Sequence, residues 1–91
     1  MRLQWTSKSL FNLARSYEFL APDSQTAAAR MVRAVVAAPE HLLANPRIGE
    51  RPDEFDPREV RRILVRDYEI RYEIHAETIY VLRLWHSRED R

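Results

Sequence analysis

The sequence predicts an α+β domain with the element order β-α-α-β-β-β, in which a two-helix hairpin packs on one face of a mostly antiparallel sheet. Apolar residues recur at helical spacing in the N-terminal half of the 91-residue chain. Beyond Pro57 they alternate with polar residues in three runs, which is the period of a strand. The links between these runs hold only two or three residues, so neighbouring strands must be antiparallel. We expect a single domain over residues 1–91.

The N-terminal segment predicts a short strand followed by a helix. In residues 2–6 polar and apolar side chains alternate, with Leu3 and Trp5 on one face. Thr6 or Ser7 can then cap a helix that we expect to run from Ser7 to Leu20. Its expected core stripe is Leu10, Leu13, Ala14, Tyr17 and Leu20.

A second helix is predicted after the break at residues 21–24. Its alanine-rich sequence favours helix, and its expected core stripe is Ala27, Met31, Ala34, Val35 and Ala38. Pro39 lacks the amide hydrogen that a continuing helix needs, so we expect a kink or a restart there. Residues 40–45 should add one or two further turns.

Residues 46–57 contain three prolines and the only glycine of the chain, Gly49, which indicates a loop without regular structure. A flexible linker is the alternative. We favour an ordered loop, because proline restricts the chain and because Ile48 and Phe55 are candidate apolar anchors.

The three predicted strands place one buried and one solvated face on the sheet. In the middle strand, Tyr68, Ile70, Tyr72 and Ile74 share the face expected to be buried. The solvated face then carries Glu69, Arg71, Glu73 and His75. We expect Tyr72, Ile74, Leu82 and Leu84 to face the helices, with Trp85 completing the core.

The composition is that of a globular protein and excludes several classes of function. Apolar residues make up 45% and charged residues 32%, which is not the profile of a disordered chain. Neither a membrane-spanning run nor a secretory signal is present in the sequence, and we expect a cytoplasmic protein. The absence of cysteine removes disulfide and thiolate chemistry. The spacing of His41, His75 and His86 predicts no metal site, and we expect no cofactor.

Arginine is the concentrated chemical signal, since 14 of the 15 Lys and Arg residues are arginine and only Lys8 is lysine. Metal-free cleavage of RNA needs a base, a cation that stabilises the phosphorane and an acid for the leaving oxygen. The candidate residues for these roles are His86, Arg61, Arg62, Tyr68 and Tyr72. Surface ion pairs explain the same pattern. The interspersed acids are Glu59, Glu69, Glu73, Glu77 and Glu89. For Arg88 and His86, both a chemical role and a simple strand end stay open.

Several segments, taken in order, resemble the ParE/RelE superfamily of toxins from bacterial type II toxin-antitoxin systems. They are Trp5-Thr6, the two helices, Asn45-Pro46-Arg47-Ile48-Gly49, Arg58-Glu59-Val60-Arg61-Arg62, Tyr68-Glu69-Ile70-Arg71-Tyr72 and Leu82-Arg83-Leu84-Trp85-His86-Ser87-Arg88. The resemblance covers nearly the whole chain.

The resemblance implies a compact α+β toxin that is neutralised by a cognate antitoxin, which we expect to be of the ribbon-helix-helix type. RelE-like members cut ribosome-bound messenger RNA, whereas ParE-like members inhibit DNA gyrase. His86 matches the terminal His of the RNase branch, but no terminal Tyr follows it, and Tyr68 or Glu69 stands where RNase members place a catalytic Arg. The net charge of +1 is also low for an RNA-cleft enzyme.

These departures favour a gyrase inhibitor. The alternatives are a RelE-like endoribonuclease and a decayed toxin that only pairs with its antitoxin as a co-repressor. We expect the antitoxin or the target to contact four arginines, which are Arg58, Arg61, Arg83 and Arg88.

Overall fold

The computed structural model describes residues 1–88 and confirms the predicted order of elements. Strand β1 (Arg2–Trp5) leads into the helices α1 (Ser7–Leu20) and α2 (Gln25–His41). A short 3₁₀ helix at Asp53–Phe55 interrupts the following loop. Three strands complete the chain: β2 (Glu59–Val65), β3 (Tyr68–His75) and β4 (Thr78–His86). Among the described residues no helix is long and apolar enough to cross a membrane.

The four strands form one sheet in the order β1-β4-β3-β2. The pairs β2–β3 and β3–β4 are antiparallel, as their short links require, whereas β1 lies parallel to β4 at the edge. The side chains of α1 and α2 pack with those of Tyr68, Ile70, Val81 and Leu84 on one face of the sheet. We call this the helix face, and we call the opposite side the open face.

The N-cap of α1 ties the helix to the last strand. The Thr6 hydroxyl accepts a hydrogen bond from the Ser9 amide at 3.1 Å and donates to the Val81 carbonyl at 2.8 Å. Ser24 caps α2 in the same way through the Ala27 amide. Each cap satisfies an amide that the first helical turn leaves without an intrahelical partner.

The buried stripes of both helices match the predicted ones only in part. The residues confirmed in or against the core are Leu13, Tyr17, Leu20, Met31, Val35 and Ala38. In α1, Ser9 is buried while Leu10 is 51% exposed and Ala14 is exposed. In α2, Ala28 is buried and Ala27 is exposed. Because Thr6 is bonded to β4, it sets the rotation of α1 in a way that periodicity alone does not specify.

Pro39 does not end or restart α2, which continues to His41. Pro39 is fully buried, and the chain turns only after it, with Leu42 entering the core beside Tyr72 and Ile79. The expected break at Pro39 was therefore wrong. Burial of the proline ring against the core favours its place two residues before the helix end.

A bulge changes the face on which the end of β4 packs. Arg71 pairs with Arg83, but the next residue, Tyr72, pairs with Val81, so Leu82 has no direct partner on β3. Leu84 is 2% exposed on the helix face, whereas Leu82 is only half-buried. The prediction was right for Tyr72, Ile74 and Leu84 and wrong for Leu82, because the extra residue breaks the alternation.

Trp85 is buried, as expected, but it lies opposite Glu69 on the open face. Val60, which pairs with Glu73, is also fully buried there. The open face is therefore partly covered, and the simple prediction of one buried and one solvated face was wrong at this point.

The loop between α2 and β2 is ordered, but one of its expected anchors was wrong, since Ile48 is 66% exposed. The anchor is Tyr72, whose hydroxyl donates to the Pro46 carbonyl at 2.7 Å and accepts from the Gly49 amide at 3.1 Å. A Cβ at Gly49 would lie 2.6 Å from that hydroxyl, so the close approach requires glycine.

Candidate functional site

The candidate residues Tyr68 and His86 are direct neighbours on β3 and β4, at the helix face. Their rings meet edge to face, with centroids 5.3 Å apart. Nδ1 of His86 accepts a hydrogen bond from the Arg88 amide at 3.1 Å, so the backbone of the final turn holds the imidazole.

This pair lines a shallow pocket of about 220 Å³ at the end of the helix hairpin. Its floor is apolar and comes from Leu20, Ala27 and Met31. Its rim is charged and comes from Arg30, Arg66 and Asp67. Sequence reasoning did not identify the pocket, because its rim residues come from α2 and from the β2–β3 turn.

The candidates Arg61 and Tyr72 lie together at a second place, where they hold the loop. Nη1 of Arg61 donates to the Gly49 carbonyl at 2.7 Å, and its Nε donates to Glu59 at 3.0 Å. Tyr72 is fully buried, and burial raises the pKa of its phenol above the ordinary value. Both side chains are committed to structural hydrogen bonds.

Arg62 and Arg58 are paired with carboxylates on the open face. Nε of Arg62 donates to Glu50 at 2.6 Å, and Nη2 of Arg58 donates to Glu73 at 2.7 Å. The hydrogen bond from Arg58 lowers the pKa of the Glu73 carboxyl. The expectation of cross-strand ion pairs is confirmed by Arg62 with Glu69 and by Arg58, which directly precedes β2, with Glu73. Glu50 lies in the loop, and Glu89 lies outside the described residues.

The five candidates for RNA cleavage do not converge on one point. Tyr68 and Tyr72 are four residues apart on β3, which corresponds to about 13 Å along a strand. Arg61 and Arg62 lie on opposite faces of the sheet, since Arg61 pairs with Tyr72 and Arg62 pairs with Arg71. Tyr68 and His86 are in ring contact at one place, and Arg61 and Tyr72 are direct cross-strand neighbours at another.

The four arginines predicted to contact a partner are in different states. Arg58 and Arg61 already bind Glu73 and Glu59. Arg83 stacks on the Trp85 ring, with its guanidinium carbon 5.8 Å from the ring centroid. Arg88 is exposed in the final turn.

Two features of the open face were not found from sequence. Arg71 lies between two aromatic rings, 4.9 Å from the Phe55 centroid and 4.8 Å from that of Trp85. Arg71 is also the direct cross-strand neighbour of Arg83. Identification of the Arg71–Arg83 pair requires the register of β4 against β3, and this register depends on the bulge. Within residues 1–88, no cluster of three or more His or acidic residues is placed to hold a metal ion.

Comparisons with known proteins give a consistent result. The profile of the family described as "ParE toxin of type II toxin-antitoxin system, parDE" matches residues 3–91. Among solved structures, a chain described as "Chromosomal ParDE TA system from P. aeruginosa" is similar to this chain, with a TM-score of 0.78 and 24% sequence identity. The similarity covers 94% of this chain and 95% of that chain, and at this identity it shows the shared fold. A search of curated protein sequences gives no significant match.

Proposed function

Because the chain belongs to the ParE toxin family of type II toxin-antitoxin systems, we propose that it acts in the cytoplasm by inhibiting DNA gyrase and is neutralised by a cognate antitoxin. The observation that carries the gyrase assignment is the separation of the candidate RNase residues. Arg61 and Tyr72 are bound into the loop, and Arg62 is paired with Glu50, so none of the three is positioned to act with His86. Inhibition by binding needs no such convergence.

Net charge supports the same proposal. Affinity for RNA grows with each phosphate that a protein neutralises, and this chain carries a formal charge of only +1. The two arginines of β2 are already paired with carboxylates, Arg62 with Glu50 and Arg61 with Glu59. A protein–protein target such as gyrase fits this surface better than an RNA cleft.

One observation favours the alternative, a RelE-like ribosome-dependent endoribonuclease. Tyr68 and His86 are in ring contact beside a pocket with Arg30 and Arg66 on its rim. A phenol and an imidazole in contact are the types of group that general acid-base catalysis uses. This pair keeps nuclease activity as the second candidate function.

The proposed antitoxin has two surfaces on which to dock. Leu10, Phe11 and Phe19 of α1 are 51%, 56% and 80% exposed, which is a large apolar area for a free monomer. Such a flank is suited to the apolar face of an amphipathic helix. We propose a ribbon-helix-helix antitoxin whose C-terminal segment covers this flank and also contacts exposed arginines.

The test compares the two targets directly. Purified protein is added to a gyrase supercoiling assay and to ribosomes programmed with messenger RNA, with the variant His86→Ala as the matched control. We expect loss of supercoiling or trapped cleaved DNA, intact messenger RNA and the same gyrase inhibition by His86→Ala. Cleavage of ribosome-bound messenger RNA that disappears in His86→Ala would contradict gyrase inhibition and establish the endoribonuclease.

A further inference from the structure

Three arginines form a row across the open face of the sheet. Arg62 on β2 pairs with Arg71 on β3, and Arg71 pairs with Arg83 on β4. Neighbouring strands lie about 4.8 Å apart, so these side chains start as close neighbours on one face. Like charges placed directly opposite one another destabilise a sheet unless other groups compensate them.

Within the described residues, carboxylates form ion pairs only with Arg62, at one end of this row of arginines. Arg62 is bonded to Glu50 and lies 3.7 Å from Glu69. Neither Arg71 nor Arg83 takes part in an ion pair with any residue in 1–88. Within the described residues, the guanidinium groups of Arg71 and Arg83 instead contact aromatic rings.

The aromatic contacts fix the geometry of the pair. Arg71 is held between Phe55 and Trp85, and Arg83 also lies over Trp85. The Nε atoms of both arginines are buried and have no hydrogen-bond acceptor. The terminal nitrogens of both arginines make no hydrogen bond within residues 1–88, and they are not among the buried atoms that lack a partner. These N–H groups are therefore accessible to solvent. Stacking therefore immobilises two guanidinium groups without using their hydrogen bonds, which is preorganisation for an anion.

The surroundings favour a single carboxylate over a nucleic-acid backbone. Glu69 and Glu73 lie two residues from Arg71 on either side along β3, on the same open face. Glu50 and Glu54 also lie close enough to Arg62 to raise the pKa of its guanidinium, chiefly through the Glu50 hydrogen bond. A polynucleotide carries a phosphate every 3.4 Å or so along each strand and would bring neighbouring phosphates against these acids. One isolated carboxylate avoids them.

We infer that the terminal nitrogens of Arg71 and Arg83 bind the carboxylate of an Asp or Glu side chain from a protein partner. On the proposed function this partner is the antitoxin, so the identity of the partner rests on that function. Among the arginines expected to contact a partner, Arg58 and Arg61 already bind glutamates of the chain itself. We therefore place the contact at Arg83 and its neighbour Arg71.

The experiment uses NMR of the full-length, ¹⁵N-labelled protein, observing the Arg Nε–H signals. The probe is the blocked tripeptide acetyl-Gly-Glu-Gly-amide, and the control peptide carries Gln in place of Glu. We expect saturable shifts of the Arg71 and Arg83 signals in the millimolar range with the Glu peptide only. Arg83→Gln should weaken binding about tenfold, the loss expected for a hydrogen bond to a charged group.

Arg58→Gln is the matched control variant, because it removes the same charge from the same face while leaving the Arg71–Arg83 pair intact. It should bind the Glu peptide like the wild type. Arg83→Lys, which keeps the charge but lacks the planar fork, should also bind more weakly. Amide spectra establish that each variant is folded before its titration is interpreted.

Absence of saturable shifts, equal shifts with the Gln peptide or equal weakening by Arg58→Gln would overturn the inference. Tighter binding of a decauridylate at the same two signals would overturn it in favour of a nucleic-acid site.

A last comparison asks whether the antitoxin supplies the carboxylate. In the complex with co-expressed antitoxin, both signals should be shifted and the Glu peptide should no longer bind. Because the peptide titration involves no gyrase, it can succeed or fail independently of the proposed function.

Discussion

At the scale of single residues, Tyr72 shows how a candidate acid can serve structure instead. Its ring is fully buried against Leu42, Ile74 and Ile79, and its hydroxyl joins the sheet to the loop through Pro46 and Gly49. A buried hydroxyl that makes both a donated and an accepted bond is satisfied. Its proton is therefore engaged in a structural hydrogen bond to Pro46 and is not available for transfer to a substrate.

Removal of this hydroxyl should destabilise the protein. Tyr72→Phe leaves the Gly49 amide and the Pro46 carbonyl without their partner, which should cost about 1–3 kcal/mol in the free energy of unfolding. Urea unfolding measures the change. Tyr17→Phe is the control, since no hydrogen bond of its hydroxyl is found in residues 1–88 and Tyr17 only borders the core. Equal stability of Tyr72→Phe and Tyr17→Phe would show that the loop is not held by Tyr72.

The same tyrosine should give the folded state a dependence on alkaline pH. Burial raises the pKa of Tyr72 above 10.0, so near that pH the phenol ionises in the unfolded chain before it ionises in the folded one. The folded state then binds more protons, and its stability falls as the pH rises from about 10 through the raised pKa. Below this window the contribution is complete.

Urea unfolding of the wild type and of Tyr72→Phe at a series of pH values measures this effect. The stability of the wild type should decrease more steeply above pH 10 than that of Tyr72→Phe, while Tyr17→Phe should follow the wild type. Parallel curves for all three proteins would contradict the raised pKa.

At the scale of elements, β4 determines most of the arrangement of both faces. It is the central strand that contacts β1, β3 and α1. Its bulge lies between the stretch that pairs Val81 with Tyr72 and the stretch that pairs Arg83 with Arg71. Without the extra residue, the end of the strand would present its other side to the helices, and neither the Arg71–Arg83 pair nor the Tyr68–His86 contact would form.

Substitution of Leu82, the bulged residue, and of Leu84, two residues beyond it, should lower the free energy of unfolding by different amounts. Leu84→Ala removes a side chain that is 2% exposed and should cost about 2–5 kcal/mol, the range of core leucines. Leu82→Ala, at the half-buried bulge, should cost clearly less. Chemical denaturation with both variants checks the order. The assignment of faces is refuted by a larger loss in Leu82→Ala, or by a loss in Leu84→Ala no greater than that of a surface change, about 0.5 kcal/mol.

At the scale of the whole molecule, ion pairs are found on the sheet and the loop, whereas exposed apolar side chains are found on α1 as well as on the sheet and the loop. The paired arginines lie around the sheet and the loop, where Glu50, Glu59 and Glu73 bind them. Helix α1 exposes Phe11 and Phe19, which are eight residues or about two turns apart. Leu64 on β2 and Ile48 in the loop are also exposed, at 70% and 66%. The exposed phenylalanines of α1 suit a partner that covers this helix.

Substitution of the exposed phenylalanines should change association and leave folding intact. Phe19→Ser alters a side chain that is 80% exposed, so the free energy of unfolding should change by no more than about 0.5 kcal/mol. Self-association of the free protein and binding of the co-expressed antitoxin should both weaken, because apolar area is removed from the flank. Sedimentation velocity and co-purification measure the two effects.

Lys8→Ala serves as the control, since it alters an exposed charged residue of the same helix. It should leave self-association and antitoxin binding unchanged. Undiminished antitoxin binding by Phe19→Ser and by Phe11→Ser would contradict the docking of an antitoxin helix on α1.

The sequence by itself determined the types, order and approximate limits of the elements, the ordered loop and the family. Residues 7–20 and 25–38 carry helical periodicity, and Thr6 and Ser24 carry capping side chains, so interactions between near neighbours decided these helices. The alternation in Tyr68–His75 likewise identified its buried face. These signals are local in the chain, and they can therefore be predicted without knowledge of distant contacts.

Only the tertiary structure decided what depends on contacts between distant residues. The rotation of α1 follows from the bond between Thr6 and Val81, and the exposure of Ile48 follows from the use of Tyr72 as the loop anchor. The bulge in β4 decided which arginines meet, so Arg61 and Arg62 point to opposite faces while Arg71 and Arg83 become neighbours. A shift of one residue exchanges the faces of a strand at little local cost, and packing of the whole domain selects between the alternatives.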